Sequence, residues 1–452
     1  MPLCSIMIGR VKEKSLSLCA QNTPRNEVNM NIRFYNARIA TMQTDCSITQ
    51  GELWVMKNRI TYIGEKKEND ILWDREIDCR GNLLLPGFKN AHTHSAMTCL
   101  RSFADDMPLQ EWLTNQVFPM EAKLTPEDIY HLSKLAILEY LTSGMTANFD
   151  MYITPDTIAQ ASIDTGFRTV LCGGVSNFLH TVPQIEEWYK KYNTYHELVS
   201  FQLGFHAEYT TDKAVLMDLA ALSKQLKAPV YTHNSETKAE VDACLSRNHL
   251  TPTAYFDALG LYDYGGGGYH CVHMTDEDLS IIKRQSVSIV TNPGSNTKLA
   301  SGIARITDML TSEINVAIGT DGPASNNCLD MFREMFLVTG LAKLKEEDAS
   351  AVDANAVLRM ATTNGAKAMC LADCDCLAEG KLADIIMLDL HQPNMQPINS
   401  ITKNIVYSGS KSNVALTMIN GKILYENGEF YVGEDPEAIY AKANEIIHRM
   451  KC

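Results

Sequence analysis

The chain has 452 residues, 45% of them hydrophobic, enough for one large domain plus a small one around a sizeable core. Acidic residues outnumber basic ones 54 to 40, a net charge of -14, and no basic run is interleaved with aromatics, which argues against a nucleic-acid partner. No stretch approaches the roughly 20 apolar residues of a membrane span. The thirteen cysteines are scattered without a CxxC pair, as in reduced cytoplasmic proteins.

Residues 1–30 carry little pattern. MPLCSIMIG is apolar, but the charges in RVKEK follow it, the wrong order for a secretory signal. This stretch reads as a disordered or cloned extension, with Met30 a candidate natural start. Over 31–84, short alternating segments (IRFYNARIATM, GELWVMKNRITYIGE, REIDC) separated by polar turns read as hairpin strands. A matching block returns over 379–452, with ADIIMLDL, NIVYSG and NVALTMINGKILYENGEFY, where Asn420-Gly421 is a two-residue turn signal, and then a C-terminal helix. Neither block has strands enough to close a core. The two termini are therefore expected to meet in one small β-sandwich domain.

Over 85–378, strand-like runs alternate with helical ones. Strand candidates are 82–94, 145–151, 168–175, 199–206, 229–233, 268–273, 287–292 and 314–321, each followed by a helical stretch. Thr125-Pro126-Glu127-Asp128 is a good helix start: an N-cap, a proline at the first helical position and acids in the first turn. Eight such repeats predict an α/β fold of the (β/α)8 TIM-like barrel type. A doubly wound open sheet fits less well, because no Gly-rich fingerprint follows the first strand. The glycine run at 265–268 precedes a strand rather than opening a helix, and reads as a flexible connection rather than a phosphate cradle.

In a barrel of this kind the carboxyl ends of the strands share one mouth, where chemistry is found. His92 and His94, at i and i+2, face the same side of their strand. His206, His233, His270 and Asp321 stand at the ends of strands 4, 5, 6 and 8. Three imidazoles and a carboxylate, from His92, His94, His233 and Asp321, suit one divalent metal ion, zinc first and iron as the alternative. Glu236, in THNSE, is placed to shuttle protons outside the metal shell, although alone it reads slightly better as a first-turn helix glutamate. His270 and His273, at i and i+3 on a strand, point to opposite faces, so at most one enters the mouth. His270 is that one, as a donor to the atom under attack or an orienter of Asp321, and His273 is structural.

PGFKNAHTHSAM, FPMEAKLTPED, THNSETKAEV, HCVH, NPGSNTKLASGIA and GTDGPASNN resemble the successive signatures of the amidohydrolase superfamily, most closely its 5-methylthioadenosine/S-adenosylhomocysteine deaminase family, from about Asn31 to Lys451. The resemblance implies a hydrolase of C–N bonds that deaminates C6 of an adenine nucleoside, with a homo-oligomeric assembly. It implies one metal, usually zinc, on His92, His94, His233 and Asp321; from the residue types, Asp321 is expected to take a proton from the metal-bound water, Glu236 to protonate a ring nitrogen and His270 to steady the developing charge. Glu121 would contact the ribose hydroxyls, His206 the nucleoside, and Glu236 the purine ring. Without the resemblance, Glu121 reads as a solvated charge and His206 as a core histidine. Family members that accept S-adenosylhomocysteine have arginines after strand 3, but here no arginine lies between Arg168 and Arg247. A small neutral 5′ group is therefore expected, unless Lys190 and Lys191 substitute. Guanine deaminases and triazine hydrolases share the scaffold and stay open as alternatives. A non-catalytic scaffold would have no need of the ligand set.

Overall fold

The computed structural model describes residues 30–451, so the extension expected at 1–30 lies, but for Met30, outside the described residues. Eight strands run parallel and side by side in chain order: β6 (Phe88–Thr93), β7 (Met145–Met151), β8 (Arg168–Cys172), β9 (Val199–Gly204), β10 (Val230–Asn234), β11 (Gly266–His270), β12 (Val287–Thr291) and β13 (Val316–Ile318). This is the expected barrel. β13 returns to β6 through the chain beyond it: Asp321 N–H donates to His92 O at 3.0 Å and Thr320 N–H to Asn90 Oδ1 at 2.8 Å. The helix Pro126–Thr142 starts as expected, with Thr125 and Asp128 forming a capping box.

Below the mouth the barrel is filled by Phe149, Tyr231 and Tyr269. Their bulk explains the glycines of β11, which belong to the strand rather than to a flexible connection. A Cβ on Gly266 would lie 1.9 Å from Val230 O, and one on Gly267 would lie 2.5 Å from the Tyr231 ring. Only glycine fits at these two positions of the strand.

A second, mixed sheet is built from both ends of the chain. Its strands are β1 (Asn31–Ala40), β2 (Ile48–Met56), β3 (Arg59–Gly64), β4 (Arg75–Asp78) and β5 (Leu83–Pro86), with β14 (Ile385–Leu388), β15 (Val414–Ile419), β16 (Lys422–Glu426) and β17 (Glu429–Phe430). They form one nine-stranded sheet in the order β17-β16-β15-β14-β5-β1-β2-β3, with β4 beside β1, around its own core of Phe34, Leu53, Leu84, Leu416 and Met418.

Two expectations change here. The run 82–94 is two strands, β5 in this sheet and β6 in the barrel, divided at Gly87, where a Cβ would lie 2.0 Å from the Thr146 side chain. NIVYSG is part of the helix Ile401–Ser408, capped by Ser400, and buries Thr402, Ile405 and Val406 on one face. The two sheets are joined by the buried pair of Arg168 and Asp384, at 2.7 and 3.0 Å. Among the described residues no helix is long and apolar enough to cross a membrane.

Candidate active site

His92 in β6, His94 just beyond it, His233 in β10 and Asp321 three residues past β13 converge at the barrel mouth. One ligand atom from each lies within 4.8 Å of all the others. Asp321 Oδ1 is 3.4 Å from His92 Nε2 and 3.2 Å from His94 Nε2. His94 Nδ1–H donates to Met151 O and His233 Nδ1–H to His206 O at 2.7 Å, which turns both Nε2 atoms toward the cluster. His92 stacks on Tyr269 with 3.7 Å between ring centroids, and neither of its buried nitrogens has a hydrogen-bond partner. A buried imidazole without partners is costly, and a cation between these four groups would satisfy it.

The electrostatics favour positive charge at the same place. Burial drives His92 down to about 3 and His233 well below the usual histidine value, so both rings are neutral. Burial alone would raise the Asp321 carboxyl, but the His92 and His94 rings, with Nε2 at 3.4 and 3.2 Å from Oδ1, outweigh it and hold the group well below the usual range. At His94 the burial penalty is in turn overcome by Asp321, which lifts the ring to about 9. Two neutral imidazoles, a carboxylate and a third imidazole that the carboxylate draws toward positive charge suit a divalent cation, which would take the place of the His94 proton. Asp321 Oδ2 points away and accepts hydroxyls from Ser295 at 2.7 Å and Ser325 at 2.6 Å. Left-handed backbone recurs around the cluster, with φ of +58° at Asp321, +68° at His270 and +51° at Ser235. Such strain persists where the surroundings over-determine it.

Glu236 and His270 flank the cluster, with His270 Nε2 3.9 Å from Glu236 Oε2. Ser301 donates its hydroxyl to Glu236 Oε1 at 3.0 Å, and His270 Nδ1 bonds Asn296 Oδ1 at 2.8 Å. Orientation of Asp321 therefore falls to the two serines, and His270 leans on Asn296. β11 ends at His270, so His273 is not on the strand; its Nε2 donates to Ser301 O at 2.8 Å and braces the segment that carries Ser301.

Residues 83–424 match the Amidohydrolase family. The chain belongs to the amidohydrolase family. A 5-methylthioadenosine/S-adenosylhomocysteine deaminase of Thermoanaerobacter pseudethanolicus is 37% identical over 432 residues, covering 93% of this chain and 100% of the relative. An adenosine deaminase of Xanthomonas campestris, solved with bound zinc, superposes with a TM-score of 0.88 at 30% identity, over 93% of this chain and 99% of that one. An atrazine chlorohydrolase of Arthrobacter aurescens, at 21% identity, TM-score 0.85 and 92% and 100% coverage, shares the fold.

Two further sequence candidates of this amidohydrolase line the mouth without joining the cluster. Glu121 accepts the Tyr152 hydroxyl at 2.7 Å, and the Tyr152 ring centroid is 6.3 Å from that of His94. Burial raises the Glu121 carboxyl. The His206 ring is 5.0 Å from that of His233, bonds Thr210 through Nδ1 at 3.0 Å, and is held neutral by burial, which lowers it to about 4. Lys190 and Lys191 are committed elsewhere, to Glu186 at 2.6 Å and Asp156 at 2.7 Å on an exposed helix. Arg168 is taken by Asp384.

Several supporting residues escaped the sequence reading. Ser295, Asn296 and Ser301, and likewise Ser325, lie inside motifs that follow strand ends, and that position was the available signal. Glu334 gave none. It sits within the helix Met331–Glu346, fully buried, and accepts Gly294 N–H at 2.8 Å and Asn326 Nδ2–H at 2.8 Å. It thereby ties together the two segments that carry Ser295 and Ser325. Burial pushes its carboxyl up to about 8. A Cβ on Gly294 would lie 2.4 Å from Glu334 Oε1, so glycine is required for this approach.

Proposed function

We propose that this amidohydrolase is a metal-dependent deaminase that removes the 6-amino group of an adenine nucleoside, releasing ammonia and the inosine analogue. The convergence of His92, His94, His233 and Asp321, with Glu236 and His270 alongside, carries the reading. The names of the relatives supply the substrate class. The cation is zinc: three imidazoles and one carboxylate are a common zinc donor set, and the Xanthomonas structure holds that metal. Such a cation acts as a Lewis acid and brings the pKa of a water to about 7.

The remaining steps belong to the protein. Asp321, with Oδ2 engaged by two hydroxyls, turns Oδ1 into the cluster, where it takes a proton from the attacking water. Glu236, with Oε1 held by Ser301, delivers a proton from Oε2 to the ring nitrogen beside C6. His270, with Nδ1 given to Asn296, turns Nε2 toward the charge that develops as water adds to C6. Asp321 then passes its proton to the 6-amino group, the C6–N bond breaks to release ammonia, and the proton of the C6 hydroxyl returns to Glu236 as the carbonyl forms. Glu121 binds the ribose hydroxyls, backed by Tyr152, and neutral His206 contacts the nucleoside. A small neutral 5′ group suits the site, because neither Lys190, Lys191 nor Arg168 is free to meet a carboxylate tail. A cytoplasmic setting is supported by the described cysteines, all of them free thiols.

Metal analysis of the purified protein, followed by ammonia release from adenosine, 5′-deoxyadenosine, 5-methylthioadenosine and S-adenosylhomocysteine, tests the proposal. Stoichiometric zinc and turnover of these nucleosides are expected. A zinc-loaded protein that deaminates none of them would overturn it.

A further inference from the structure

The segment that carries Glu121 leaves the barrel after the short helix Ser95–Leu100 and returns at Thr125, where the helix Pro126–Thr142 begins. Glu121 closes one turn of helix, Phe118–Glu121, and the chain then tightens: Lys123 N–H donates to Met120 O and Leu124 N–H to Glu121 O, both at 3.0 Å. Glu121 and Lys123 therefore share one backbone turn, and a shift of one moves the other. In the mouth the Glu121 carboxylate is held by the Tyr152 hydroxyl at 2.7 Å. Farther back, Asp105 ties the segment to Lys298 at 2.6 Å and to Asn327 at 2.9 Å.

Both ends of this excursion meet the last turn of the helix Pro436–Lys451. That helix buries Ile439, Ala443, Ile446 and Met450, a stripe at helical spacing, and packs on the helix Pro126–Thr142. On the returning side Lys123 Nζ donates to Met450 O at 2.6 Å, one of the carbonyls that a helix end leaves without a partner of its own and partly negative. Arg449 Nη2 donates to Asp128 Oδ2 at 2.5 Å, the same oxygen that accepts Thr125 N–H and the Thr125 hydroxyl in the capping box. On the departing side Lys451 Nζ stands 5.8 Å from the centre of the Phe103 ring. A cavity of about 430 Å³ between Ala443 and Ile447 of this helix and residues 99–103 gives the departing chain room to shift once the last turn lets go.

We infer that Lys123 and Arg449 are positioning residues, which latch the excursion to the end of the helix Pro436–Lys451 and so set Glu121 against the ribose hydroxyls. The inference rests on the ribose contact proposed above for Glu121. Such a latch acts on one part of the substrate. The metal cluster, Glu236 and His270 stand on other strands, so chemistry at C6 proceeds as before once the nucleoside is bound.

Steady-state kinetics of the zinc-loaded enzyme with adenosine and with 2′,3′-dideoxyadenosine, which lacks the hydroxyls, tests this. Arg449→Glu sets two like charges together at Asp128. Combined with Lys123→Ala it should raise KM for adenosine about tenfold while kcat stays within about twofold, the mark of lost uniform binding. Both constants for 2′,3′-dideoxyadenosine should stay within about twofold in the same preparation, which a general loss of structure would not allow. Arg449→Lys should behave as the wild type, because the charge remains. Glu121→Ala should raise KM for adenosine at least as far, and adding the two latch substitutions to it should raise KM no further, because they act through Glu121. Equal changes for the two nucleosides, no change for either, or additive effects in the combined variant would overturn the latch. If Glu121→Ala itself leaves KM for adenosine unchanged, the ribose contact fails and the latch with it. If Glu121→Ala raises KM and the latch substitutions do not, the latch alone fails.

Discussion

Replacing Glu236 by glutamine removes a proton carrier and little else. The amide is isosteric, its oxygen can still accept the Ser301 hydroxyl that holds Oε1 at 3.0 Å, and its N–H can still donate to a ring nitrogen. Substrate binding should therefore survive. Proton delivery by a positioned carboxyl is worth about 10² to 10⁴ in rate, or about 2.7 to 5.4 kcal/mol of barrier, so kcat should fall by at least about 100-fold. KM should change by less than about threefold, since an interaction made only in the transition state moves kcat alone. Glu236 is outside the histidine and aspartate cluster, so bound metal should remain stoichiometric. The assay pairs ammonia release from 5-methylthioadenosine with metal content of the same preparation. A variant that keeps its metal and turns over within tenfold of wild type would refute the role of Glu236. Loss of metal instead would mean that the side chain supports the cluster.

Ser295→Ala removes one of two hydroxyls on Asp321 Oδ2, and hydrogen bonds to a charged acceptor are worth about 1.5 to 3 kcal/mol. Metal affinity, followed by competition with a chelator, should drop about 10- to 100-fold, and further with Ser325→Ala added; unchanged affinity in the double variant would contradict the cradle. Stability should decline as pH rises from about 7 to about 8, above the range in which the buried, neutral His92, His206 and His233 add stability with rising pH. Burial raises Glu240 to about 7, helped by the charge of Glu236, and raises Glu334 to about 8. Both folded values exceed the ordinary carboxylate value, so each contribution is complete below about pH 4 and is lost as pH climbs through the folded value, a few kcal/mol in total. Denaturant midpoints should show this fall, and Glu334→Gln should flatten its upper part; a wild-type midpoint that rises over this range would contradict it. Finally, kcat/KM for 5-methylthioadenosine should exceed that for S-adenosylhomocysteine by about tenfold or more, since a carboxylate tail lacks a charge-assisted partner worth about 1.5 to 3 kcal/mol. A lower KM for S-adenosylhomocysteine would argue against it.

The sequence by itself determined the alternation of strands and helices, the union of the two termini, and the station of His92, His94, His206, His233, His270 and Asp321 near strand ends. Those are local facts. Periodicity of 2 or 3.6 is written within a few residues, and parallel strands in one barrel deliver their carboxyl ends to one mouth whatever the helices between them contain. Only the tertiary structure decided which oxygen or nitrogen faces which. Ser301 reaches Glu236 across 65 residues, Glu334 reaches Gly294 across 40, and Glu121 meets Tyr152 across 31. Such pairs leave no periodic trace, because they depend on how whole elements stack. The same reason governs the errors in reading. Leu83–Pro86 has the apolar character of a barrel strand but is claimed by β1 and β14, and Gly267 of β11 lies in a strand because Tyr231, from the neighbouring strand, already fills the space beside it.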